Sequence, residues 1–324
     1  MLIQSFTTIA LSIFLEGLFF LLIGAIVSSI IEVFVPEETI QKLIPKNKYV
    51  ALLLSSSLGL ILPICECGII PVIHRLLKKK VPLYICITLL FSSPIVNILV
   101  IISTYFAFND YLYIVLLRIF GGFIISFIIG FVVSLSFKTD EVMKDNFTEL
   151  KVEACSCNHH AEHSHDHEGC GCQHDHNHEQ KKNKNIGLVY KLKPILSHSI
   201  DEFFDTGKYF IIGIIITALI QSLVPRNNLA TFGNLFPFSN LFMIGFPYLL
   251  SNCSNTDAFI ARSFLGSFSV SSIVTFMIFG AMFDIKTTIM LKKIFRVSFI
   301  IRLLLLVIAL NLLFSLFIEF FFKG

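Results

Sequence analysis

The sequence predicts an all-α polytopic membrane protein, with about eight transmembrane helices in two repeated four-helix halves and broken helices at the centre. Composition is the first of three observations that predict it. Of 324 residues 55% are hydrophobic and 35 are Phe, while only 15% are charged, against roughly 25% charged in ordinary globular chains. A water-soluble single domain could not hide so much apolar surface, so a bilayer is required. The second observation is a series of apolar runs of membrane-spanning length without strand alternation, and the third is an internal repeat.

A helix needs about 20 apolar residues to cross a hydrocarbon core of roughly 30 Å, and only helices or closed barrels satisfy the backbone there. Eight candidate helices follow in order: 6–35, 49–73, 82–107, 111–137, 207–224, 240–262, 268–285 and 293–320, the second and sixth being the least regular. No removable signal is expected at the start, because Met1 to Ser5 has no basic residue and the first apolar run contains Glu16. That run is read as a retained anchor.

The first membrane half is expected at 1–137 and the second at 207–324. Residues 138–206 are rich in Lys, Asp, Glu, His and Asn and read as a flexible linker unable to build its own core. Residues 16–36 (EGLFFLLIGAIVSSIIEVFVP) match residues 206–225 (TGKYFIIGIIITALIQSLVP), pairing Gly17 with Gly207, Gly24 with Gly213 and Pro36 with Pro225. Farther on, Pro63 to Cys67 falls opposite Tyr248 to Ser254, and Ser92 to Asn97 opposite Phe279 to Asp284. Duplicated halves with interrupted helices at their interface are a recurrent transporter plan. Four helices per half make the repeats parallel in the simplest count; a re-entrant segment would invert that.

Lys138, Lys144, Lys181, Lys182, Lys184, Lys191 and Lys193 in the linker, with the Arg75 to Lys80 turn, are read as cytoplasmic by the positive-inside rule. Eight crossings then put both termini inside, but leave Lys286, Lys292, Lys293 and Arg296 around an outer turn. The expected location is the inner (plasma) membrane. Near-balanced charge, 25 Lys and Arg against 22 Asp and Glu, gives no case for nucleic acid as a partner.

Chemistry concentrates in Leu62-Pro63-Ile64-Cys65-Glu66-Cys67-Gly68-Ile69-Ile70-Pro71, where two prolines and a glycine break an apolar helix. Freed backbone at membrane depth survives only where it is covered by protein or lines a cavity, and two thiols and a carboxylate enter that cavity. Thiolates prefer soft ions such as Cu(I) and Zn and, by the same reasoning, trivalent arsenic. Intramembrane ionisable groups are costly and mark function. The expected transport site is therefore Cys65, Glu66 and Cys67, with Asn97, Asn252, Cys253, Asp257 and Asp284 from the matching segments. Ser92, Ser93 and Pro94 form a second tier, Cys86 reads as a small buried hydrophobe, and Glu16, Glu32, Arg118 and Arg262 read as snorkelling or structural ion pairs.

Within the linker, Cys155, Cys157, His159, His160, His163, His165, His167, Cys170, Cys172, His174, His176 and His178 form a tract of zinc and copper ligand types. With no C-x2-C pair and far more ligands than one site needs, it reads as a flexible collector of exchanging metal, with no prosthetic cofactor implied. No phosphate-binding G-x-x-x-x-G-K-[ST] is present and no nucleophile and base pair appears, so an enzyme is not expected.

Pro63-Ile-Cys65-Glu66-Cys67-Gly68-Ile-Ile-Pro71, Ser93-Pro94-Ile-Val-Asn97, Cys253-Ser254 with Asp257-Ala-Phe-Ile-Ala261, and Phe279-Gly280-Ala-Met-Phe-Asp284 together resemble the predicted permeases related to ArsP. The Cys/His-rich linker is similar to a branch described as copper/zinc efflux transporters. The resemblance implies eight crossings and export from the cytoplasm; members exporting trivalent organoarsenicals imply coordination by the membrane cysteines alone. The expected function is an efflux permease for copper or zinc, possible as a homo-oligomer. Arsenical efflux is the alternative within transport, and a membrane metal sensor or scaffold the alternative of another class.

Overall fold

A computed structural model describes residues 2–61, 64–137, 142–143, 188–223 and 238–322. These form helices and two isolated backbone bridges, with no strand among the described residues. In the first half lie α1 (Leu2–Phe34), α2 (Glu37–Leu43), α3 (Lys48–Ile61), α4 (Glu66–Lys78), α5 (Leu83–Ser92), α6 (Ile98–Ala107) and α7 (Leu112–Ser136). In the second lie α8 (Leu188–Leu223), α9 (Phe238–Leu250), α10 (Ser254–Arg262), α11 (Val270–Met282), α12 (Ile285–Leu291) and α13 (Val297–Phe322). Among the described residues five stretches are long and apolar enough to cross a membrane: Phe6–Phe34, Leu112–Ser136, Ser199–Ser222, Val270–Leu291 and Val297–Phe321. The protein is thus all-helical and of the polytopic membrane type.

Three of the eight expected helices are interrupted: α3 and α4 share one, α5 and α6 another, α9 and α10 a third; α12 follows α11 past the expected end at 285. Helix α8 begins at Leu188 rather than near 207, because Ser199 and Glu202 are buried and Glu202 has partners on other helices.

Side-chain contacts give each helix its direction. Gly24 abuts Gly68, Ser28 Oγ donates to Pro71 O at 3.1 Å, and Arg75 Nη1 donates to Glu32 at 2.8 Å. The offset is nearly constant, so α4 runs parallel to α1. Helix α3 runs parallel to α5, with Ser55 Oγ donating to Ile85 O and Gly59 against Ser92. The turn at Lys79 to Pro82 sends α5 back against α4, so the chain reverses between α3 and α4. Between α5 and α6 it does not: α7 packs antiparallel to both in one continuous register, Gly130 on Thr88, Gly122 on Ile95 and Arg118 on Thr104.

The second half repeats the plan. Helix α9 runs with α11, pairing Asn240 with Ser272 and Pro247 with Gly280, whereas α10 runs against α11, with Asp257 at Gly280 and Phe264 on Phe276. Helices α11 and α12 continue in one direction against α8, which Gly213 meets at Lys286 and Thr206 at Lys293. Helix α8 is antiparallel to its repeat mate α1: Glu32 and Glu202 share Arg75 at one end, and Gly17 meets Phe210 farther along. Each half thus contains one reversal, between α3 and α4 in the first and between α9 and α10 in the second. Among them α11 is almost wholly buried, while α1 and α13 turn large apolar side chains such as Phe19 and Leu305 outward.

Close approach is bought with glycine at one position above all. A Cβ on Gly24 would lie 2.1 Å from Gly68 O, so α1 and α4 touch backbone to backbone, the packing that small residues permit between membrane helices.

Candidate functional site

Both reversals place a cysteine at the N-cap of the returning helix. Cys65 precedes α4 in extended backbone (φ −79°, ψ 178°), and Cys253 precedes α10 likewise (φ −86°, ψ 156°). Ser251, at φ 46°, makes the turn before Cys253, and its Oγ accepts from Ile285 N at 3.1 Å. Carbonyls freed by the breaks find side-chain donors: Ile64 O accepts from Ser93 Oγ at 3.0 Å and from Asn97 Nδ2 at 3.5 Å, and Leu250 O accepts from Gln221. Broken backbone is thereby paid for by protein groups, as membrane depth demands.

Residues next to the two N-caps meet. Ser254 Oγ donates to Glu66 Oε2 at 3.3 Å across the two halves, and these are repeat-equivalent positions. Asn97 and Asp284, the N-caps of α6 and α12, are the other equivalent pair; Asn97 Oδ1 accepts from Leu99 N at 2.9 Å and Asp284 Oδ1 from Thr287 N at 2.6 Å. Thus the interruptions converge. Acidic groups at the starts of α4, α10 and α12 stand where helix N-termini favour negative charge.

Glu66, Asp257 and Asp284 face two cationic heads. Lys286 Nζ stands 3.5 Å from Glu66 Oε1 and 3.3 Å from Asp284 Oδ2. Arg118 donates to Thr104 Oγ1 at 2.6 Å and to Ser254 O at 2.8 Å. All five side chains are buried, none above 3% exposed. Neither carboxyl oxygen of Asp257 has a hydrogen-bond partner, nor has Glu66 Oε1 or Asp284 Oδ2. Cys67 is buried and Cys65, two residues before it, is half-buried; neither is in a disulfide. Cys253 donates to Glu16, which also accepts from Thr256 Oγ1 at 3.2 Å.

Of the expected residues, Glu66 and Asp284 are joined by Lys286, Cys67 adjoins Glu66 in α4, Cys253 adjoins the Ser254 that bonds Glu66, Asp257 lies at Gly280, and Cys65 and Asn97 stand at the adjoining breaks. Asn252 lies half-buried in the second reversal. Among the described residues no three His, Cys, Asp or Glu side chains are close enough together to hold a metal ion. Linker ligands Cys155 to His178 lie outside the described residues, as does Pro63.

Sequence reasoning missed three members of the site. Arg118 is not a snorkelling or structural charge at a helix end: it is 1% exposed and bonds across the halves. Glu16 is not isolated either, since it receives the Cys253 thiol. Lys286 was grouped with Lys292, Lys293 and Arg296 as a turn charge, yet it occupies the centre. The signal available was its place two residues after Asp284, at a break matched to Asn97. Glu32 and Arg262 do form ion pairs, with Arg75 at 2.8 Å and Asp110 at 3.4 Å.

Comparison with known proteins agrees with this architecture. The chain is similar to the UPF0718 protein YcgR of Bacillus subtilis (strain 168), 38% identical over 312 residues covering 96% of both chains. It is also 36% identical over 294 residues to the "Putative two-component membrane permease complex subunit" of Streptococcus mutans serotype c, covering 91% of this chain and 88% of that one. No solved structure matches. The ArsP_1 family, described as "Predicted permease", matches residues 2–320, nearly the whole chain. An all-helical membrane chain with charges buried at helix breaks suits a permease, and the chain belongs to the ArsP_1 predicted permease family.

Proposed function

We propose that this permease exports a soft heavy-metal cation, copper or zinc, from the cytoplasm through the centre between its two halves. Cys65, Cys67 and Cys253 supply sulfur, Glu66, Asp257 and Asp284 supply carboxylate, and Asn97 and Asn252 line the breaks. The linker ligands Cys155 to His178 gather metal before it enters. One observation carries the reading: thiol N-caps of two oppositely directed returning helices flank the contact between Glu66 and Ser254. Half-helices meeting between inverted repeats are where transporters bind cargo, and thiolate with carboxylate suits copper and zinc.

The same reading includes a topology of six crossings (α1, α5 with α6, α7, α8, α11 with α12, and α13) and two re-entrant hairpins, in place of eight crossings. Arg75, Lys78, Lys79, Lys80, Lys292, Lys293 and Arg296 then share the end at which α8 begins, which the positive-inside rule makes cytoplasmic. This removes the outer basic turn that eight crossings required, and both termini move to the outside. The Streptococcus mutans relative's name speaks of a two-component complex, and we extend to this chain the proposal of a partner subunit.

Trivalent arsenic is the second reading, favoured by Cys65 and Cys67, a free thiol pair two residues apart at one helix break. Uptake of Zn(II), Cu(I) and arsenite into proteoliposomes separates the cases. Saturable zinc or copper uptake, lost in Cys65→Ser/Cys67→Ser, supports the metal reading; uptake of arsenite alone replaces it, and no uptake of any of the three refutes export by this chain alone.

A further inference from the structure

We infer that the Lys286 ammonium occupies the seat of the cationic cargo, so that cargo binding and the Lys286 bridges between the halves exclude each other. The inference rests on the proposal of cation export and names the residue that sets the cargo's affinity and release.

Lys286 is 3% exposed, on the second residue of α12, and joins carboxylates of both halves: Glu66 from the first and Asp284 from the second. Its contacts are loose. At 3.5 and 3.3 Å the ammonium is farther from both carboxylates than a charge-assisted hydrogen bond, which is about 2.7–2.9 Å long. Glu66 Oε1 and Asp284 Oδ2 consequently keep unused lone pairs, and Asp257 offers two more oxygens with no partner, all buried. An ammonium in this position offsets charge without satisfying the oxygens, which is how a displaceable occupant differs from a structural one. Cys67 follows Glu66 directly in α4 and is buried, so a soft cation replacing the ammonium has sulfur beside the oxygens. No other described basic side chain pairs with these carboxylates. The backbone at Lys286 is held by α8, where a Cβ on Gly213 would come within 3.1 Å of Lys286 Cα; only the flexible side chain is free to withdraw.

The consequence is a cycle. Cargo entering from the cytoplasm pushes the ammonium off Glu66 and Asp284 and loosens the link between the halves; when the ammonium returns, it expels the cargo. Removing the charge should therefore tighten binding and slow release together, an opposed change in KM and maximal rate that general damage to the fold does not produce.

The test is Zn(II) uptake by full-length protein in liposomes, for wild type, Lys286→Met and Lys286→Arg. The expected result for Lys286→Met is a KM about tenfold lower, with a maximal rate also reduced about tenfold or more. Lys286→Arg, which keeps the charge, should hold KM within about threefold of wild type. An unchanged or higher KM in Lys286→Met, in protein that remains monodisperse, overturns the inference while wild-type uptake leaves the export reading intact. Absence of saturable uptake by wild type overturns the zinc reading and the inference with it.

Discussion

At the end where α4, α8 and α12 meet, Glu202 lies 3.0 Å from His74 Nδ1, 3.1 Å from Arg75 Nε and 2.9 Å from Lys293 Nζ, while Arg75 also reaches Glu32 at 2.8 Å. At the centre, Lys286 stands off at 3.3 and 3.5 Å and neither Asp257 oxygen has a hydrogen-bond partner. Both clusters bury charge and both tie the two halves together. The first surrounds one carboxylate with donors at bonding distance, the arrangement that repays desolvation. The second leaves oxygens unsatisfied in a low-dielectric interior, a cost that persists only where something other than stability maintains it. The contrast separates a clamp from a working site.

Breaking the clamp should give the largest loss of stability. Glu202→Leu leaves Arg75, His74 and Lys293 without their shared carboxylate and should cost about 3–5 kcal/mol, seen as a lowered unfolding midpoint in detergent. Asp257→Asn should do the opposite: with no hydrogen bond to lose, its midpoint should stay equal or rise, while metal uptake falls about 100-fold or more. If Asp257→Asn unfolds the protein, the two clusters are of one kind.

Gly24→Ala tests the frame that carries both clusters. Its methyl group would press on Gly68 O, and the expected cost is about 1–3 kcal/mol with no change in KM, checked by pairing thermal unfolding with uptake kinetics. Smallest is the effect of deleting residues 155–178. Uptake at saturating metal should persist and only the apparent affinity should fall; equal loss here and in Cys65→Ser/Cys67→Ser would end the division between collector and channel.

Much of this site was legible because broken membrane helices are costly and leave marks. Pro63, Cys65-Glu66-Cys67 and Pro71 in an apolar run, and the matching polar stretch around Cys253 and Asp257, announced both interruptions, and the repeat paired Asn97 with Asp284. The reversal of direction was not legible. An apolar run interrupted by proline looks alike whether it continues through the membrane or turns back, and the deciding contacts are long-range: Gly24 on Gly68, Pro247 on Gly280. Lys286 escaped for a related reason. A lysine near other basic residues reads as a turn, and only the fold shows that it is six residues inward from Lys292 and pressed against Gly213. Arg118 and Glu16 were each visible as intramembrane charges, but their partners, Ser254 and Cys253, come from the other half.

Zinc content measures the central claim most directly. In full-length protein whose linker cysteines and histidines between Cys155 and His178 are replaced by serine and alanine, equilibrium dialysis should still find bound zinc, and adding Cys65→Ser and Cys67→Ser should abolish it. Zinc binding that vanishes with the linker ligands alone would contradict the account, since the membrane thiols would then hold no metal.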